Sequence, residues 1–392
     1  MNPFWYRRRR GLVVLTTAAG AALCLAGIAP TSSARAQDTA AETPWVVSLG
    51  DSFISGEAGR WAGNSNDRAE GYSHTDRAFS SVTTRSDPHR VYGASFDDRC
   101  NRSDSAEVNT APIHGQRLNL ACSGATSTAI LLPEHGGSPF KSEPSQAEQL
   151  QKAVTGHAVR AVVVSVGGND LGFEDVITTC AKDFLKPFKA EPCAPTMALK
   201  VRDRLPAMRT AAVKTLADVT TAMSRAGHPK GSYRLILQSY PSPLPDGARV
   251  RYPGEKYNRL SKGGCPFFDK DFTWAHDELV PAISTALAAA AHAGGAEFLD
   301  LSRAFEGREV CSKTTLHADP KTRPSGSTSE WVRFVTSGVG QGQRQESLHP
   351  NYYGQLALGT CLGLKLDHAP GNHSCLNTAE AGPHDMRLQT AP

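Results

Sequence analysis

Short, almost uninterrupted apolar runs recur along the chain and predict the strands of a buried sheet. They cover residues 45–49, 158–166, 234–238 and 297–301, and a weaker run at 118–121 fits either a short strand or the start of a loop. Runs without polar alternation are typical of parallel strands that are covered on both faces. The pattern therefore favours a parallel sheet with helices on both sides.

Helical spacing of apolar residues fills the intervals between these runs. The predicted helices cover residues 145–154, 196–226, 277–293 and 351–364. Pro206 should break or kink the second of them, because proline lacks an amide N–H and clashes with the preceding turn. Alternating strands and helices predict a three-layer α/β/α sandwich around a central, mainly parallel, flavodoxin-like sheet.

Stretches rich in glycine, proline and polar residues predict long surface loops. Neither an internal repeat nor a composition change marks a domain boundary, so residues 43–375 are expected to form one domain. The stretch 376–392 is expected to be a frayed C-terminal tail. The predicted loops cover residues 55–116, 178–196, 241–270 and 306–347.

The first 36 residues have the layout of a secretory signal peptide. Arginines at 7–10 precede an apolar run at 11–30, and Ala34-Arg35-Ala36 supplies a small-x-small cleavage site. A membrane anchor is the alternative, but threonine, glycine and alanine weaken the run as a permanent span. The sequence thus predicts cleavage of residues 1–36 and an extracellular protein.

This segment also explains the basic charge of the chain. The 392 residues carry a net charge of +4, but residues 1–36 contain five arginines and no acidic residue. The remainder has 37 basic and 38 acidic residues, without a basic stripe for nucleic acid. Beyond the N-terminus no run of 18 apolar residues predicts a stable membrane span. We expect a monomer with neither a nucleic-acid partner nor a membrane span.

Eight of the nine cysteines follow the signal segment, and an even number in an exported chain suggests disulfides. Eight cysteines allow 105 connectivities. The simplest proposal pairs them in sequence order. None forms a CxxC pair, which argues against a zinc ribbon or a thioredoxin-like site. The proposed pairs are Cys100–Cys122, Cys180–Cys193, Cys265–Cys311 and Cys361–Cys375.

Four polar motifs stand at or just beyond the carboxyl ends of predicted strands, where open α/β sheets bind their ligands. Each motif by itself has an ordinary structural explanation, such as a tight turn or a helix cap. Their order along one strand–helix frame is what favours chemistry. The motifs cover residues 48–57, 121–126, 166–171 and 346–351. Their candidate residues are Ser52, Gly124, Asn169 and His349.

These motifs together resemble the SGNH (GDSL-type) hydrolase family, and the cysteines resemble its secreted actinobacterial lipase, esterase and phospholipase branch. The resemblance implies a serine ester hydrolase that needs no metal or organic cofactor. Ser52 would attack the ester and His349 would act as its base. The Ser52 and Gly124 amides and the Asn169 side chain would bind the oxyanion. Disulfides in relatives support the first three cysteine pairs, and the pair Cys361–Cys375 less so.

One position departs from the family pattern. The family usually has an aspartate three residues before the histidine, whereas this chain has Glu346 there. Glu346 is therefore expected to orient His349 through its side chain or its backbone carbonyl, since in some secreted relatives a main-chain carbonyl near this position orients the ring. A Gly-x-Ser-x-Gly motif is absent from the sequence, which argues against an α/β-hydrolase nucleophile elbow.

The sequence leaves the substrate open. Aromatic residues in the long loops either build an acyl pocket or belong to the core. A lipid or other small-molecule ester is expected, with a carbohydrate O-deacetylase, an acyltransferase or a non-catalytic exported binding module as alternatives. These aromatic residues are Trp61, Tyr72, Phe79, Tyr92, Phe96, Tyr252, Tyr257, Phe267 and Phe268.

Overall fold

The computed structural model describes residues 43–253, 257–336, 338 and 341–391. The predicted signal peptide at 1–36 lies outside the described residues. The strands are β1 (Trp45–Gly50), β2 (Phe79–Ser80), β3 (Arg85–Ser86), β4 (Gln116–Asn119), β5 (Val159–Ser165), β6 (Arg234–Gln238), β7 (Glu297–Asp300), β8 (His373–Leu376) and β9 (Arg387–Thr390).

The helices alternate with the longer strands. They are α1 (Ser52–Ser55), α2 (Glu70–His74, a left-handed turn), α3 (His89–Tyr92), α4 (Glu107–Thr110), α5 (Gln146–Val154), α6 (Gly168–Leu171), α7 (Phe173–Phe184), α8 (Ala194–Arg225), α9 (Asp269–Trp274), α10 (Val280–Gly294) and α11 (Tyr352–Asp367). Segments of π-helix lie at Arg259–Gly263 and Ala275–Leu279. Turns of 3₁₀ helix lie at Gly93–Phe96, Ser127–Ala129, Pro133–His135, Gly247–Arg249 and Arg344–Glu346.

The central sheet confirms the predicted fold class. Its strand order is β4-β1-β5-β6-β7-β8-β9, and every neighbouring pair is parallel except β8 and β9. Two groups of helices flank it: α8 packs against both α5 and α10, and α11 packs on α4. The order around β1 is that of a flavodoxin-like sheet, with the direction of strand addition reversing between β1 and β5. Ligands bind at such a reversal in open α/β sheets.

Local sequence explains where the elements begin. Ser145 and Glu148 form a reciprocal capping box at the start of α5. The Asn351 side chain accepts hydrogen bonds from the first-turn amides of α11. The valines of β5 are buried on both faces, as the continuous apolar run predicts. The weaker run at 118–121 is half strand and half loop. Leu118 and Asn119 belong to β4, which pairs with β1, and the loop begins at Leu120.

Neither the helix break expected at Pro206 nor the frayed C-terminal tail is observed. Pro206 does not end the long helix, because it lies on the exposed face of α8, where water can bind the freed carbonyl group. Buried residues of α8, such as Leu216, pack against the rest of the core on the other side. The expected frayed tail at 376–392 instead contains β9, which pairs with β8 and covers the edge of the sheet.

All four disulfides form in the sequential order that the sequence suggests. The Cα atoms of the pairs are 4.1, 4.9, 6.5 and 5.8 Å apart in chain order. These distances lie close to or within the usual range for disulfides. The bonds fasten the long loops to the sandwich. Within the described ranges, every helix is too short or too polar to cross a lipid bilayer.

Candidate active site

Ser52 lies at the turn between β1 and α1. β1 ends at Gly50, where a φ of +140° and the neighbouring Ser165 carbonyl leave no space for a Cβ atom. Asp51 then caps α1, because its carboxylate accepts a hydrogen bond from the Phe53 amide at 3.1 Å. Ser52 therefore begins the helix with its side chain at the carboxyl end of the sheet. Only 7% of the residue is exposed.

His349, in the loop before α11, contacts Ser52 directly. Its Nε2 atom lies 2.6 Å from Ser52 Oγ, and its Nδ1 atom lies 3.0 Å from the Ser347 carbonyl oxygen. Because a carbonyl can only accept, Nδ1 carries the ring proton and Nε2 accepts from the serine hydroxyl. Desolvation lowers the pKa of His349 to about 4, although the Ser347 and Gln345 carbonyls oppose this shift. The ring is therefore neutral near pH 7.

The loop that carries Gly124 is fastened to the turn after β5. Asn169 Nδ2 donates to the Ala125 carbonyl at 2.9 Å. Asp170 accepts a hydrogen bond from the Ser127 hydroxyl at 2.6 Å and another from the Ser127 amide. Gly124 itself has a φ of +81°, a conformation that favours glycine. These contacts keep Gly124 and Asn169 on the wall of the same cleft as the serine.

Tyr240 is a site residue that the sequence analysis missed. Its hydroxyl donates to Asp51 Oδ2 at 2.5 Å and accepts from the Gly168 amide at 3.0 Å. It thus joins the turn that carries Ser52 to the turn that carries Asn169. Its position in the sequence could have identified it as a site residue. Tyr240 lies two residues beyond the predicted strand 234–238, at the same edge of the sheet as the four motifs.

The Glu346 carboxylate does not contact the His349 ring. It accepts hydrogen bonds from Trp61 Nε1 at 3.0 Å, from the Tyr92 hydroxyl at 2.7 Å and from the Gln343 amide at 2.7 Å. The longer glutamate side chain therefore reaches away from the ring and into the protein. The expectation that Glu346 itself orients the ring is therefore corrected. A main-chain carbonyl does accept from Nδ1, but it is that of the next residue, Ser347.

The Glu346 carboxylate is part of a buried cationic and aromatic cluster. The guanidinium of Arg333 lies 3.7 Å from the centre of the Trp61 ring. The main chain of Arg333 also pairs with the histidine loop, since its carbonyl accepts from the Leu348 amide and its amide donates to the His349 carbonyl. Glu346 therefore holds the loop that carries His349 rather than the ring itself.

A cleft of about 770 Å³ opens over these residues. It is lined by all four motif residues, namely Ser52, Gly124, Asn169 and His349. One apolar wall comes from successive turns of α7 and the residue that follows it, namely Phe173, Ile177, Ala181 and Leu185. Leu260, Val280, Ile283 and Val335 also line it. The cleft is therefore polar at Ser52 and apolar along one side.

The loop aromatics do not build this cleft, as far as the described residues define it. Trp61, Tyr92, Phe267 and Phe268 are buried in the protein instead. The sequence allowed these rings either to build an acyl pocket or to pack in the core. These four rings pack in the core under the long loops. Burial of a large aromatic side chain stabilises the fold enough to explain their presence.

Potential metal ligands come together at three places among the described residues. Three groups bring together at least three histidine, cysteine or carboxylate side chains, and none includes Ser52, Asn169 or His349. Two of these groups contain cysteines that are already in disulfides. The third consists of His276, Glu306 and Glu309.

Solved structures similar to this chain include two Streptomyces enzymes. An extracellular lipase from Streptomyces rimosus is 20% identical, with 82% of this chain and 98% of the lipase covered and a TM-score of 0.45. A phospholipase A1 from Streptomyces albidoflavus NA297 is 18% identical, with 82% and 98% covered and a TM-score of 0.42. A comparison with curated proteins gives no significant match.

The family model of the GDSL-like lipase/acylhydrolase family matches residues 48–357. The match covers most of the chain and includes the segments that carry Ser52, Gly124, Asn169 and His349. The chain belongs to the GDSL-like lipase/acylhydrolase family, a family of carboxylic ester hydrolases.

Proposed function

We propose that this protein is a secreted lipase or esterase that works through an acyl-enzyme formed on Ser52. The observation that carries the proposal is the 2.6 Å contact between Ser52 Oγ and a neutral His349 Nε2 at the floor of a cleft with an apolar wall. A serine hydroxyl becomes an effective nucleophile when such a base can take its proton. The paired disulfides support export, because they persist in oxidising surroundings.

The proposed reaction follows from the two ends of the imidazole ring. Ser52 Oγ attacks the ester carbonyl while His349 Nε2 takes the hydroxyl proton. The Ser347 carbonyl accepts from Nδ1–H and stabilises the imidazolium that forms. Nε2 then gives its proton to the leaving alcohol. Water repeats these steps on the acyl-enzyme and releases the carboxylic acid.

The oxyanion of the tetrahedral intermediate would be held by three donors. We assign these to the backbone amides of Ser52 and Gly124 and to the side-chain amide of Asn169. One amide hydrogen of Asn169 binds the Ala125 carbonyl, and the second is free to point toward the substrate. Because the hydrogen bonds of Asn169 to Ala125 and of Asp170 to Ser127 hold the two loops together beforehand, little reorganisation is needed during the reaction.

The Glu346→Gln substitution is expected to change kcat less than about five-fold. A glutamine oxygen can accept from Trp61 and Gln343, and its NH₂ group can donate to the Tyr92 hydroxyl, so the buried contacts persist. Glu346→Ala should instead lower the melting temperature, because each buried donor left unpaired costs about 1–3 kcal/mol. Kinetics and thermal unfolding of both variants make the test. A loss near 10³-fold in the glutamine variant would mean that the carboxylate charge takes part in catalysis.

The pH profile should reflect the desolvated histidine. His349 acts as a base only when neutral, and its pKa is lowered to about 4. We therefore expect kcat/KM to stay on its plateau as the pH falls through 6.5 and to drop only near pH 4. Circular dichroism at each pH would separate this loss from unfolding. An acid limb near pH 6.5 would contradict a desolvated base.

The apolar wall favours esters with a long acyl chain. We expect kcat/KM on p-nitrophenyl esters to rise from acetate to medium or long chains, because each buried methylene adds about 0.8 kcal/mol of binding. Ile177→Trp should reduce hydrolysis of long chains and spare acetate, since the larger ring fills the cleft. Val82→Trp is the control, because Val82 is 91% exposed and lies outside the cleft.

Activity assays also distinguish the alternative functions. A preference for acetate that is confined to acetylated sugars would favour a carbohydrate O-deacetylase. Ester products formed when glycerol is added as an acceptor would favour an acyltransferase, which shares the acyl-enzyme. An inactive wild type that still binds its ligand would favour an exported binding module and would overturn the proposed hydrolase.

A further inference from the structure

His276, Glu306 and Glu309 form a compact group of nitrogen and carboxylate ligands outside the cleft. His276 lies in the π-helical segment Ala275–Leu279 before α10, and the two glutamates lie in the loop after β7. His276 Nε2 is 3.3 Å from Glu306 Oε2 and 4.0 Å from Glu309 Oε1. One ligand atom from each residue lies within 4.8 Å of the others.

The carboxylate of Glu309 is buried and only partly hydrogen-bonded. Only 1% of this residue is exposed, and its Oε2 atom is buried without a hydrogen-bond partner. Among the described residues, His276 is the only basic side chain within 4.0 Å of its carboxylate. Arg249 and Arg303 pair with Glu306 instead. A buried carboxylate oxygen without a hydrogen-bond partner is costly in its charged form, and a cation next to Glu309 would offset that cost.

The other side of the His276 ring is already occupied. Asp277 Oδ1 lies 2.6 Å from Nδ1 and fixes the ring proton on that atom. Nε2 is then left facing two carboxylates, with either its lone pair or a second proton between them. A carboxylate on the outer nitrogen is the usual arrangement for a histidine that binds a metal through the other one.

We propose that His276, Glu306 and Glu309 bind a divalent transition-metal cation of the Zn²⁺ type. One imidazole nitrogen with two carboxylate oxygens suits Zn²⁺, whereas Ca²⁺ takes six to eight oxygen ligands. Ligand atoms around a tetrahedral Zn²⁺ are about 3.3 Å apart, given bonds of ~2.0–2.1 Å. The His276–Glu306 distance of 3.3 Å already fits this spacing, and Glu309 has to move closer, because its Oε1 atom is 4.0 Å from His276 Nε2.

The cation would join two parts of the chain that lie beside the cleft wall. The Val310 amide, next to Glu309, donates to the Pro243 carbonyl at 3.2 Å, and Pro243 lines the cleft. Cys311 ties the same loop to Cys265. The expected role is therefore to stabilise this loop against the segment before α10, and the role does not depend on the proposed ester hydrolysis.

Calorimetric titration of the full chain, stripped with a chelator and then dialysed, tests the site. We expect one saturable Zn²⁺ per chain. At about 100-fold excess over Kd the melting temperature should rise by about 4 °C. The Glu309→Gln and His276→Ala variants should lose both the saturable Zn²⁺ binding and the rise in melting temperature. His292→Ala, which removes an exposed histidine of α10, should keep them. In chelator, Glu309→Gln should melt no lower than wild type, because a neutral amide is cheaper to bury.

Three results would overturn the proposal. The first is the absence of saturable binding to the wild type, which would leave an imidazolium as the cation between the carboxylates. The second is a Zn²⁺-dependent shift that survives in Glu309→Gln or His276→Ala. The third is stabilisation by Ca²⁺ but not by Zn²⁺. The titration of the wild type needs no variant, so a variant that fails to fold does not block the test.

Discussion

Replacement of Ser52 by alanine should lower kcat for ester hydrolysis by a factor on the order of 10⁵–10⁶. The loss is this large because no acyl-enzyme can form, while the cleft and its donors remain. The measurement is steady-state hydrolysis of p-nitrophenyl butyrate, together with mass spectrometry of the enzyme after exposure to a reactive phosphonate ester. The wild type should gain one adduct on Ser52, and the variant should gain none.

Ser55→Ala is the matched control for this result. Ser55 is a buried serine on the same short helix, and its hydroxyl donates to the Ser52 carbonyl at 3.1 Å. Its loss should lower stability by about 1 kcal/mol and leave the chemistry nearly intact. If Ser52→Ala retained a tenth of the activity, or if Ser55→Ala were equally inactive, Ser52 would not be the nucleophile.

Replacement of Asn169 by alanine should lower kcat by a factor of about 10²–10³ with a much smaller change in KM. The amide is expected to bind the oxyanion, which carries its full charge only near the transition state, so the loss appears in kcat rather than in substrate binding. Steady-state kinetics of a short ester over a range of concentrations separates the two constants.

Asn169→Ala also removes a hydrogen bond to the Gly124 loop, so a second variant is needed. Ser127→Ala loosens the same loop from Asp170, while Ser127 does not line the cleft. It should lower kcat by less than ten-fold. An equal loss in both variants would mean that Asn169 acts by holding the loop and not by binding the oxyanion.

Much of the fold was predictable because its signals are local. Continuous apolar runs of β-branched residues, as at Val162–Val164, identify strands that are buried on both faces. The carboxyl ends of parallel strands meet at one edge of the sheet, so the motifs after successive strands converge on the same cleft. Sequence order alone therefore predicted that Ser52, Asn169 and His349 would lie together.

The predictions that failed depend on contacts between distant segments. Pro206 is tolerated because it faces solvent on a helix whose other side is buried, and neither fact is encoded near the proline. The tail forms β9 because β8 offers an unpaired edge. The aromatic residues of the loops look the same in the sequence whether they line a cleft or pack in a core. Only the residues that they contact in the folded protein distinguish these two roles.

The sequence by itself predicted the fold class and the order of the four motifs, because these follow from periodicity and spacing along the chain. The disulfide pairing rested instead on the simplest order of the cysteines and on the resemblance to secreted relatives. Only the tertiary structure decided that the Ser347 carbonyl holds the imidazole ring, that the Glu346 carboxylate turns away to Trp61 and that Tyr240 joins the turns that carry Ser52 and Asn169. These arrangements depend on the direction of side chains from segments far apart in the chain. A hydrogen bond of 2.5–3.0 Å forms only when both side chains point toward each other, and no local sequence pattern specifies that direction.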